Sequence, residues 1–135
     1  MKRSLAAGVA ATSRLTVDRE RTIDLKGAGT RVYATPMLVR DLEAACRGLV
    51  QSHLDPGEDT VCTRVELDHL AATPVGMPVE LTVTVVVVAG RTITLEVSGR
   101  DSVDLICRGR HRRHVVDVKT TEARLSAKAQ EVGIH

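Results

Sequence analysis

The stretch ATPMLVRDLEAACRGLVQSH, residues 34–53, is the part of the chain in which apolar residues recur with the period of a helix. Spacings of three and four residues place one set of side chains on a single face. This set is Leu38, Leu42, Ala45, Cys46, Leu49 and His53. Thr35 is suited to the N-cap and Pro36 to the first helical position, and DPGED at 55–59 ends the pattern. We therefore predict one amphipathic helix from Pro36 to about His53.

Upstream and downstream of this helix, side chains alternate with the period of two that is typical of a half-buried strand. RLTVDRERTI at 14–23 predicts a first strand, and the turn-rich KGAGT at 26–30 separates it from the helix. The strand after the helix, VCTRVELDHL at 61–70, has one row that we expect to face the helix. Its members are Val61, Thr63, Val65, Leu67 and His69.

Three more strands follow, joined by short connections. VELTVTVVVV at 79–88, a tight AGR turn and TITLEVSG at 92–99 together predict a hairpin. The last strand spans about 103–118, and the polar tail at 120–135 predicts a short or frayed helix. The rows expected to face the core are Val79, Leu81, Val83, Val85 and Val87, then Ile93, Leu95 and Val97, then Leu105, Cys107, Gly109, His111, Arg113 and Val115.

The element order, one strand, one helix and four strands, predicts an α+β fold in which one long helix packs on a five-stranded, mostly antiparallel sheet. At 135 residues the chain fits a single domain, 1–135, with its core at about 14–119. One helix covers only part of so long a sheet. We therefore expect a second subunit to extend the sheet or to cover its exposed face, which gives a homodimer, with a tetramer as the alternative.

The composition narrows the classes of function. Apolar residues make up 43% of the chain, yet it has one Tyr, no Phe and no Trp, so the core is aliphatic and stacking platforms for bases are missing. A net charge of +2 gives no reason to expect an acidic partner. The basic run RGRHRRH at 108–114 has no aromatic interleaving, so nucleic-acid binding is the weakest of the functions considered.

The cysteines and the start of the chain bear on its location in the cell. Cys46, Cys62 and Cys107 form no CxxC pair, which favours free thiols in a reducing compartment over disulfides or a zinc site. We expect a cytoplasmic protein with no metal and no cofactor. No segment reaches the ~20 apolar residues of a membrane span. The start, MKRSLAAGVAATSR, has a basic tip and a short apolar run, so secretion is the less favoured alternative.

Four polar residues occupy positions where the pattern calls for an apolar side chain or a helix cap. They are His69 and Arg113 in strand rows, Glu43 at the margin of the helical stripe and Thr35 at the helix start. Burying such a group unpaired costs about 1 to 3 kcal/mol, so each needs a partner or a function. A hydroxyl, a carboxylate and an imidazole together supply the nucleophile, base and orienting group of acyl transfer.

Each of these residues also has an interpretation without chemistry. His69 is then a rim histidine bonded to a carbonyl, and Thr35 only caps the helix. Glu43 pairs with Arg47 at i, i+4, a contact worth about 0.3 to 0.5 kcal/mol. Arg113 is harder to explain in this way, because an inward guanidinium demands an anionic partner. The neighbouring arginines project the other way and are most simply a solvated face; they are Arg108, Arg110 and Arg112.

From about Leu15 to Lys119 the chain resembles the hot-dog fold thioesterases of the fluoroacetyl-CoA thioesterase type. The resemblance rests on VYATPMLVRDLEAACRGLV at 32–50, DPGEDTVCTRVELDHLAATPVGMPVELTVTV at 55–85, AGRTITLEVSGRD at 89–101 and GRHRRHVVDV at 109–118. The run HLAATPVG after an alternating strand, paired with ATPMLVRDLEAA, is its most specific part. The resemblance implies a homodimeric hot-dog domain that hydrolyses acyl-CoA thioesters.

The resemblance also implies a catalytic set, which maps onto Thr35 in ATP, Glu43 in DLEAA and His69 in DHLAATP. Arg113, in a G-x-H-x-R pattern, is implied as a contact to substrate or CoA, or as an ion-pair support for the site. Cys62 stands in VCT where the family has a glycine whose backbone approaches the substrate carbonyl. The fluoroacetyl-specific member has a phenylalanine-lined lid, and since this chain contains no Phe, we expect another acyl group.

The expected reaction is hydrolysis of a small or medium acyl thioester, carried by CoA or by an acyl-carrier protein, at a dimer interface. His69 would deprotonate either Thr35 or a water held by Glu43 and Thr35. N–H groups after Pro36 and at Cys62 would bind the carbonyl oxygen. Two alternatives on the same fold are a non-catalytic acyl-CoA or acyl-carrier binding module and, less favoured, a hydroxyacyl dehydratase.

Overall fold

The computed structural model of the chain describes residues 1–27 and 29–134. In this part the chain forms two α-helices and seven strands. They are β1 (Ala10–Thr16), β2 (Thr22–Asp24), β3 (Arg31–Tyr33), α1 (Thr35–Gln51), β4 (Glu58–His69), β5 (Pro78–Ala89), β6 (Thr92–Arg100), β7 (Leu105–Asp117) and α2 (Val118–Glu131). Residue 28, in the predicted KGAGT turn, and residue 135, at the end of the predicted tail, lie outside the described residues.

Five strands form an antiparallel sheet in the order β1-β5-β6-β7-β4, and α1 packs on one face of this sheet. The predicted architecture, one long helix on a five-stranded antiparallel sheet, is confirmed. β4 lies at an edge, where β7 is its one partner strand within the described residues. β2 and β3 form a separate two-stranded sheet that the sequence did not predict, since three residues are too few to show a period.

The first strand ends earlier than the sequence predicts. The prediction of 14–23 is wrong, because β1 occupies Ala10–Thr16. Beyond it Val17 is fully buried, and Asp18 accepts a hydrogen bond from the backbone N–H of Arg21 and so caps a 3₁₀ turn. Such a local side-chain bond competes with continuation of a strand. The loose alternation of RLTVDRERTI therefore covers the end of β1, the turn and the start of β2.

The core between α1 and the sheet is aliphatic, as the composition predicts. Its buried members include Leu38, Leu42, Cys46, Leu49 and Val50 from α1 and Val79, Leu81, Val83, Val85, Ile93, Leu95 and Val97 from the sheet. Leu5, from the start of the chain, joins the same cluster. Gly109 lets β7 and β4 approach closely, because a side chain at this position would meet the carbonyl oxygen of Glu66 at 1.9 Å.

A β-bulge changes the row predicted for β4. The register shifts just after Cys62, which lies opposite the buried Arg113 on the helix-facing side. Because an extra residue reverses which face each side chain takes, the alternation before the bulge is opposite to the alternation after it. The predicted row is wrong at Val61 and Thr63. It holds at Val65, Leu67 and His69, which lie opposite His111, Gly109 and Cys107.

A second bulge, in β5, has the same effect on a smaller scale. The register with β6 shifts between Val85 and Val87. The predicted inner row is right from Val79 to Val85 but wrong at Val87, which is exposed, and Val88 packs against the core instead. The predicted inner row of β6 is confirmed, since its three members, Ile93, Leu95 and Val97, are buried.

The polar tail forms a regular helix rather than a short or frayed one. Asp117 caps α2 by accepting a hydrogen bond from the backbone N–H of Thr120 at 2.9 Å. No residue of α2 is buried. Within the described part of the chain, neither helix combines the length and apolar character needed to cross a lipid bilayer.

Candidate active site

The start of α1 leaves the hydroxyl of Thr35 free for another partner. Ala34 is the N-cap, Thr35 is the first helical residue and Pro36 the second, so the predicted capping role of Thr35 is wrong by one position. Its Oγ1 lies 2.7 Å from Nδ1 of His69. The hydroxyl therefore joins α1 to the last residue of β4.

The backbone N–H groups after Pro36 are already occupied. Met37 and Leu38 both donate to the carbonyl oxygen of Ala34, each at 3.0 Å. The expectation that these groups bind a substrate oxygen is therefore wrong, because each already has an acceptor. The first turn of α1 holds no acidic side chain, so the positive end of its dipole beside Thr35 is not neutralised locally.

The imidazole of His69 is held between α1 and the end of the sheet. Burial lowers the pKa of His69 below its ordinary value, which favours the neutral ring. One ring nitrogen, Nδ1, meets Thr35. The other, Nε2, is the one buried side-chain N or O atom among the described residues that has no hydrogen-bond partner. A neutral base with one nitrogen on a hydroxyl and the other uncommitted is suited to proton transfer.

Arg113 is buried inside the fold at the opposite end of β4. It is 2% exposed, and Thr60 takes two of its donors, Nε to Oγ1 at 2.7 Å and Nη2 to the carbonyl oxygen at 2.9 Å. Nη1 lies 3.1 Å from Nε2 of His111 and 3.5 Å from Oε1 of Glu43. The anionic partner that an inward arginine demands is thus Glu43.

Glu43 is the accessible member of this cluster. Its side chain is 47% exposed although its arginine is buried. Arg47, the alternative partner at i, i+4, instead bonds Asp59 of β4, with Nη2 to Oδ2 at 2.6 Å. The carboxylate of Glu43 therefore has a weak contact on one side and an open side toward solvent.

Cys62 lies beside the Arg113 cluster, directly across the strand pair, and is half-buried. Its Sγ is 3.7 Å from the carbonyl oxygen of Arg64, at the bulge. Below it, burial raises the pKa of the Cys46 thiol to about 12, so this thiol stays protonated near neutral pH. All three cysteines are free thiols.

Two residues that contact Arg113, Thr60 and His111, were not predicted from the sequence as site residues. Thr60 was missed because the bulge after Cys62 cannot be read from alternation, and an unbroken alternation would turn Thr60 away from the helix. His111 stood in the inward row with Arg113 but was not singled out, although its spacing of two residues on one strand predicts adjacent side chains. A buried histidine two residues from a buried arginine was the available signal.

The six site residues predicted from the sequence form two groups within one chain. Thr35 contacts His69 at one end, with Pro36 next to Thr35 in the chain, while Glu43, Cys62 and Arg113 lie together at the other. Eight helical residues separate Thr35 from Glu43 by about 12 Å along α1. Seven strand residues separate Cys62 from His69 by roughly 20 Å along β4. A single copy of the chain therefore does not unite the hydroxyl, the imidazole and the carboxylate.

Other parts of the surface offer no competing cluster of this kind. In residues 1–27 and 29–134, no three histidine, cysteine or acidic side chains are grouped as a metal site would need. A groove of about 710 Å³ lies on the face of the sheet opposite α1, lined by polar side chains of β4 to β7. None of the six predicted residues lines this groove.

Comparison with known proteins identifies a family and several relatives that this chain resembles. Residues 17–119 match the family described as fluoroacetyl-CoA-specific thioesterase. A fluoroacetyl-CoA thioesterase from Streptantibioticus cattleyicolor is 36% identical over 97 residues, which are 72% of this chain and 70% of that protein. A solved structure of a fluoroacetyl-CoA thioesterase has a TM-score of 0.84 at 30% identity and covers 92% of this chain and 97% of that one.

A second solved structure, of a thioesterase superfamily member from Thermus thermophilus, has a TM-score of 0.87 at 26% identity and covers 96% of each chain. Both superpositions include α1 and the sheet, since they span more than nine-tenths of the chain. The hot-dog fold expected from the resemblance is confirmed.

Proposed function

We propose that this chain, which belongs to the family of fluoroacetyl-CoA-specific thioesterases, hydrolyses small or medium-sized acyl-CoA thioesters at sites built from two copies of the chain. One observation carries the proposal. Thr35 and His69 are hydrogen-bonded at one end of β4, whereas the accessible carboxylate, Glu43, lies near its other end. An acyl-transfer site needs all three groups within a few ångströms.

β4 supports assembly of two copies because it is a long edge strand. It has 12 residues and pairs on one side with β7. Val61 and Val65 of this strand are 43% and 44% exposed. A long edge with apolar side chains is a template for pairing with another chain, and antiparallel pairing of identical strands generates a two-fold axis. We place this axis near the middle of β4, between Cys62 and His69.

Such pairing brings opposite ends of the two edge strands together. His69 of one copy then lies beside Cys62 of the partner subunit, and Glu43 comes with Cys62 because both meet Arg113. The two halves are chemically complementary. Nε2 of His69 is buried and has no partner in the described chain, so the ring must turn toward the interface to meet the carboxylate of Glu43, which has an open side. A carboxylate on Nε2 orients the ring and stabilises its protonated form.

Each group then has a defined role in the reaction. The oxygen of Thr35 attacks the thioester carbonyl carbon while its proton moves to Nδ1 of His69. The C–S bond breaks, and the CoA thiolate takes the proton from His69. A water molecule next attacks the acyl ester on Thr35 with His69 as base. This step releases the carboxylic acid and restores the hydroxyl.

Charge on the carbonyl oxygen is stabilised by two features of the site. The positive end of the α1 dipole lies at Thr35, and the first turn of the helix holds no acidic side chain. The backbone N–H of Cys62 from the partner subunit provides a donor at the position where the resemblance implies a glycine. Arg113 is too buried to contact CoA, so its role is to fix the position of Glu43.

The acyl group is expected to be aliphatic and different from fluoroacetyl. The β2–β3 hairpin and the loop after β4 flank the Thr35–His69 pair, because the backbone N–H of Tyr33 donates to the carbonyl oxygen of Thr73 at 2.9 Å. These segments expose apolar side chains, namely Ile23, Leu25, Leu70 and Val75. The chain contains no Phe, so a phenylalanine lid is absent from its sequence.

The test is complementation between two inactive variants. Thr35→Ala and Glu43→Gln proteins are each assayed for thiol release from short, branched and medium acyl-CoAs, then co-expressed with different tags and assayed again. If sites combine two copies, each mixed dimer keeps one intact site, and activity returns to about a quarter of wild type at equal mixing. If each site lies within one chain, the mixture stays as inactive as its components.

Two further measurements test whether the protein forms a dimer and whether it hydrolyses the acyl-CoA that it binds. Light scattering of the wild-type protein is expected to give a dimer or a multiple of it, and a monomer at assay concentration would overturn the shared site. Calorimetry with non-hydrolysable acyl-CoA analogues is run beside the thiol-release assay. Binding without thiol release from any acyl-CoA would replace the hydrolase with the non-catalytic binding module.

A further inference from the structure

We propose that His111 is a positioning residue for the reaction, which holds Arg113 in the orientation that directs its guanidinium to Glu43. The inference rests on the proposed function, since Glu43 is taken as the carboxylate of the site. His111 is not among the residues that the sequence marked as catalytic or substrate-binding. It does not touch the reacting atoms in this arrangement and acts through Arg113.

Three contacts hold the guanidinium of Arg113 in one orientation. Thr60 holds one edge of Arg113 with two bonds, at 2.7 and 2.9 Å, and this fixes the plane of the group. Nη1 on the other edge has two hydrogens. One points to Nε2 of His111 at 3.1 Å, and the other reaches Oε1 of Glu43 at 3.5 Å. The contact with Glu43 is the longest of the four, so the others determine where it falls.

The contact with Arg113 fixes the protonation state of His111. An arginine donates and never accepts, so Nε2 of His111 must present its lone pair to Nη1. His111 is therefore neutral, with its proton on Nδ1. It is 3% exposed, and burial, together with the nearby charge of Arg113, lowers its pKa. A protonated ring would turn the acceptor into a donor facing a donor.

Among the described residues, the neighbours of His111 offer no substitute for this acceptor. On β7 the neighbour of His111 in the row is Arg113 itself, and β6 contributes Leu95 opposite His111. β4 contributes Val65 opposite His111 and Cys62 opposite Arg113. From α1 come Glu43 and the protonated thiol of Cys46. Without His111, one buried N–H of Arg113 is left unpaired, and the guanidinium can turn away from Glu43.

The test compares two substitutions of different chemistry. His111→Leu removes the acceptor and keeps a side chain of moderate size, while His111→Gln supplies an amide oxygen in its place. We expect His111→Leu to lower kcat by about 10- to 100-fold with KM nearly unchanged, because a misplaced carboxylate affects the transition state more than binding. His111→Gln should recover kcat to within about threefold of wild type. His114→Leu, on the outer face of the same strand, is the matched control and should keep full activity.

A spectroscopic readout tests the contact without using activity. Long-range ¹H–¹⁵N spectra of protein labelled at histidine are expected to show His111 as the neutral tautomer with its proton on Nδ1, and to show this signal change in Arg113→Lys. An Nε2–H tautomer or a charged ring at pH 7 would overturn the inference. So would unchanged kcat in His111→Leu, or equal losses in the Leu and Gln variants. Absence of thiol release by the wild type would instead sink the proposed function and leave the tautomer result standing.

Discussion

Helix α1 carries two carboxylates two residues apart, and each meets an arginine from another element. Arg21 donates two hydrogen bonds to Asp41, at 2.8 and 3.2 Å, and the hydroxyl of Tyr33 donates a third. The side chain of Asp41 is 9% exposed. Glu43 receives one contact, at 3.5 Å, from Arg113, and here the arginine is buried while the carboxylate is open to solvent.

The two clusters therefore bury opposite members of the ion pair: the carboxylate in one and the arginine in the other. Burial alone would raise the pKa of Asp41, but hydrogen bonds from Arg21 and Tyr33 lower it, so this carboxylate is fully committed to the fold. Around Glu43 the arginine is fully committed, to Thr60, His111 and Glu43 itself, and the carboxylate keeps room for another group. A charge pair that only stabilises the fold satisfies both members, whereas a pair suited to chemistry leaves its reactive member accessible.

The largest expected effect is on activity, at Glu43. Glu43→Gln should lower kcat for acyl-CoA hydrolysis by about 100-fold or more, because the amide cannot stabilise a protonated imidazole. Because Glu43 is the anionic partner of the buried Arg113 but its own side chain is half-exposed, the free energy of unfolding should fall by about 1 kcal/mol, less than at Asp41. Thiol release and urea unfolding measure the two quantities. A kcat within about threefold of wild type would mean that Glu43, like Asp41, takes no part in catalysis.

The second effect is on stability, at Asp41. Asp41→Ala should lower the free energy of unfolding by about 2 to 3 kcal/mol, because it removes the acceptor of the buried Tyr33 hydroxyl and leaves Arg21 with Asp18 alone. Activity per folded molecule should stay within about threefold of wild type, because Asp41 bonds Arg21 and Tyr33 and no residue of the proposed site. The same two assays check this. A variant that keeps its stability and loses activity would mean that Asp41 belongs to the site.

Lowering the pH should remove the stabilisation from the two clusters in different pH ranges. The pKa values of His69 and His111 are lowered from 6.5, so below that pH the unfolded chain binds protons that the native chain does not, and stability falls as pH falls. For a buried neutral histidine such as His111 the slope approaches about 1.4 kcal/mol per pH unit. The stabilisation from Asp41, whose pKa is lowered from 3.8, is lost only at lower pH. Urea unfolding from pH 7.5 down to about pH 2 covers both ranges.

A control for the pH effect is the variant His111→Gln, which should flatten the slope below pH 6.5 and leave the transition at lower pH unchanged. Equal slopes in this variant and in wild type would show that His111 does not contribute to the acid sensitivity.

The smallest effect is expected at Arg47, on the same helix as both carboxylates. Arg47→Ala breaks an exposed pair with Asp59 and should cost about 0.5 kcal/mol or less. Activity should be unchanged, because Arg47 bonds Asp59 and not Glu43. Thermal unfolding and thiol release check both expectations. A large loss of activity would revive the interpretation in which Glu43 depends on Arg47.

Much of the fold could be predicted from residue order because period and side-chain type are local properties. α1 was predicted at about the right length, and the four strands after it were found, since each shows a run of helical or alternating spacing. The polar residues at 35, 43, 69 and 113 could be singled out because they interrupt such runs. The β2–β3 hairpin and the true end of β1 could not, since a run of three residues shows no period and a side-chain cap at Asp18 leaves no mark on alternation.

The sequence by itself determined an aliphatic α+β domain, its long helix and four polar residues that demand partners. The partners of these four residues could be identified only from the tertiary structure. The bulge after Cys62 turns Thr60 and Cys62 toward Arg113, because one extra residue reverses the faces of a strand without changing its composition. A helix that starts one residue early frees the hydroxyl of Thr35 for His69. The distance between that pair and Glu43 depends on how α1 lies across the sheet, and this distance is what calls for a second copy of the chain.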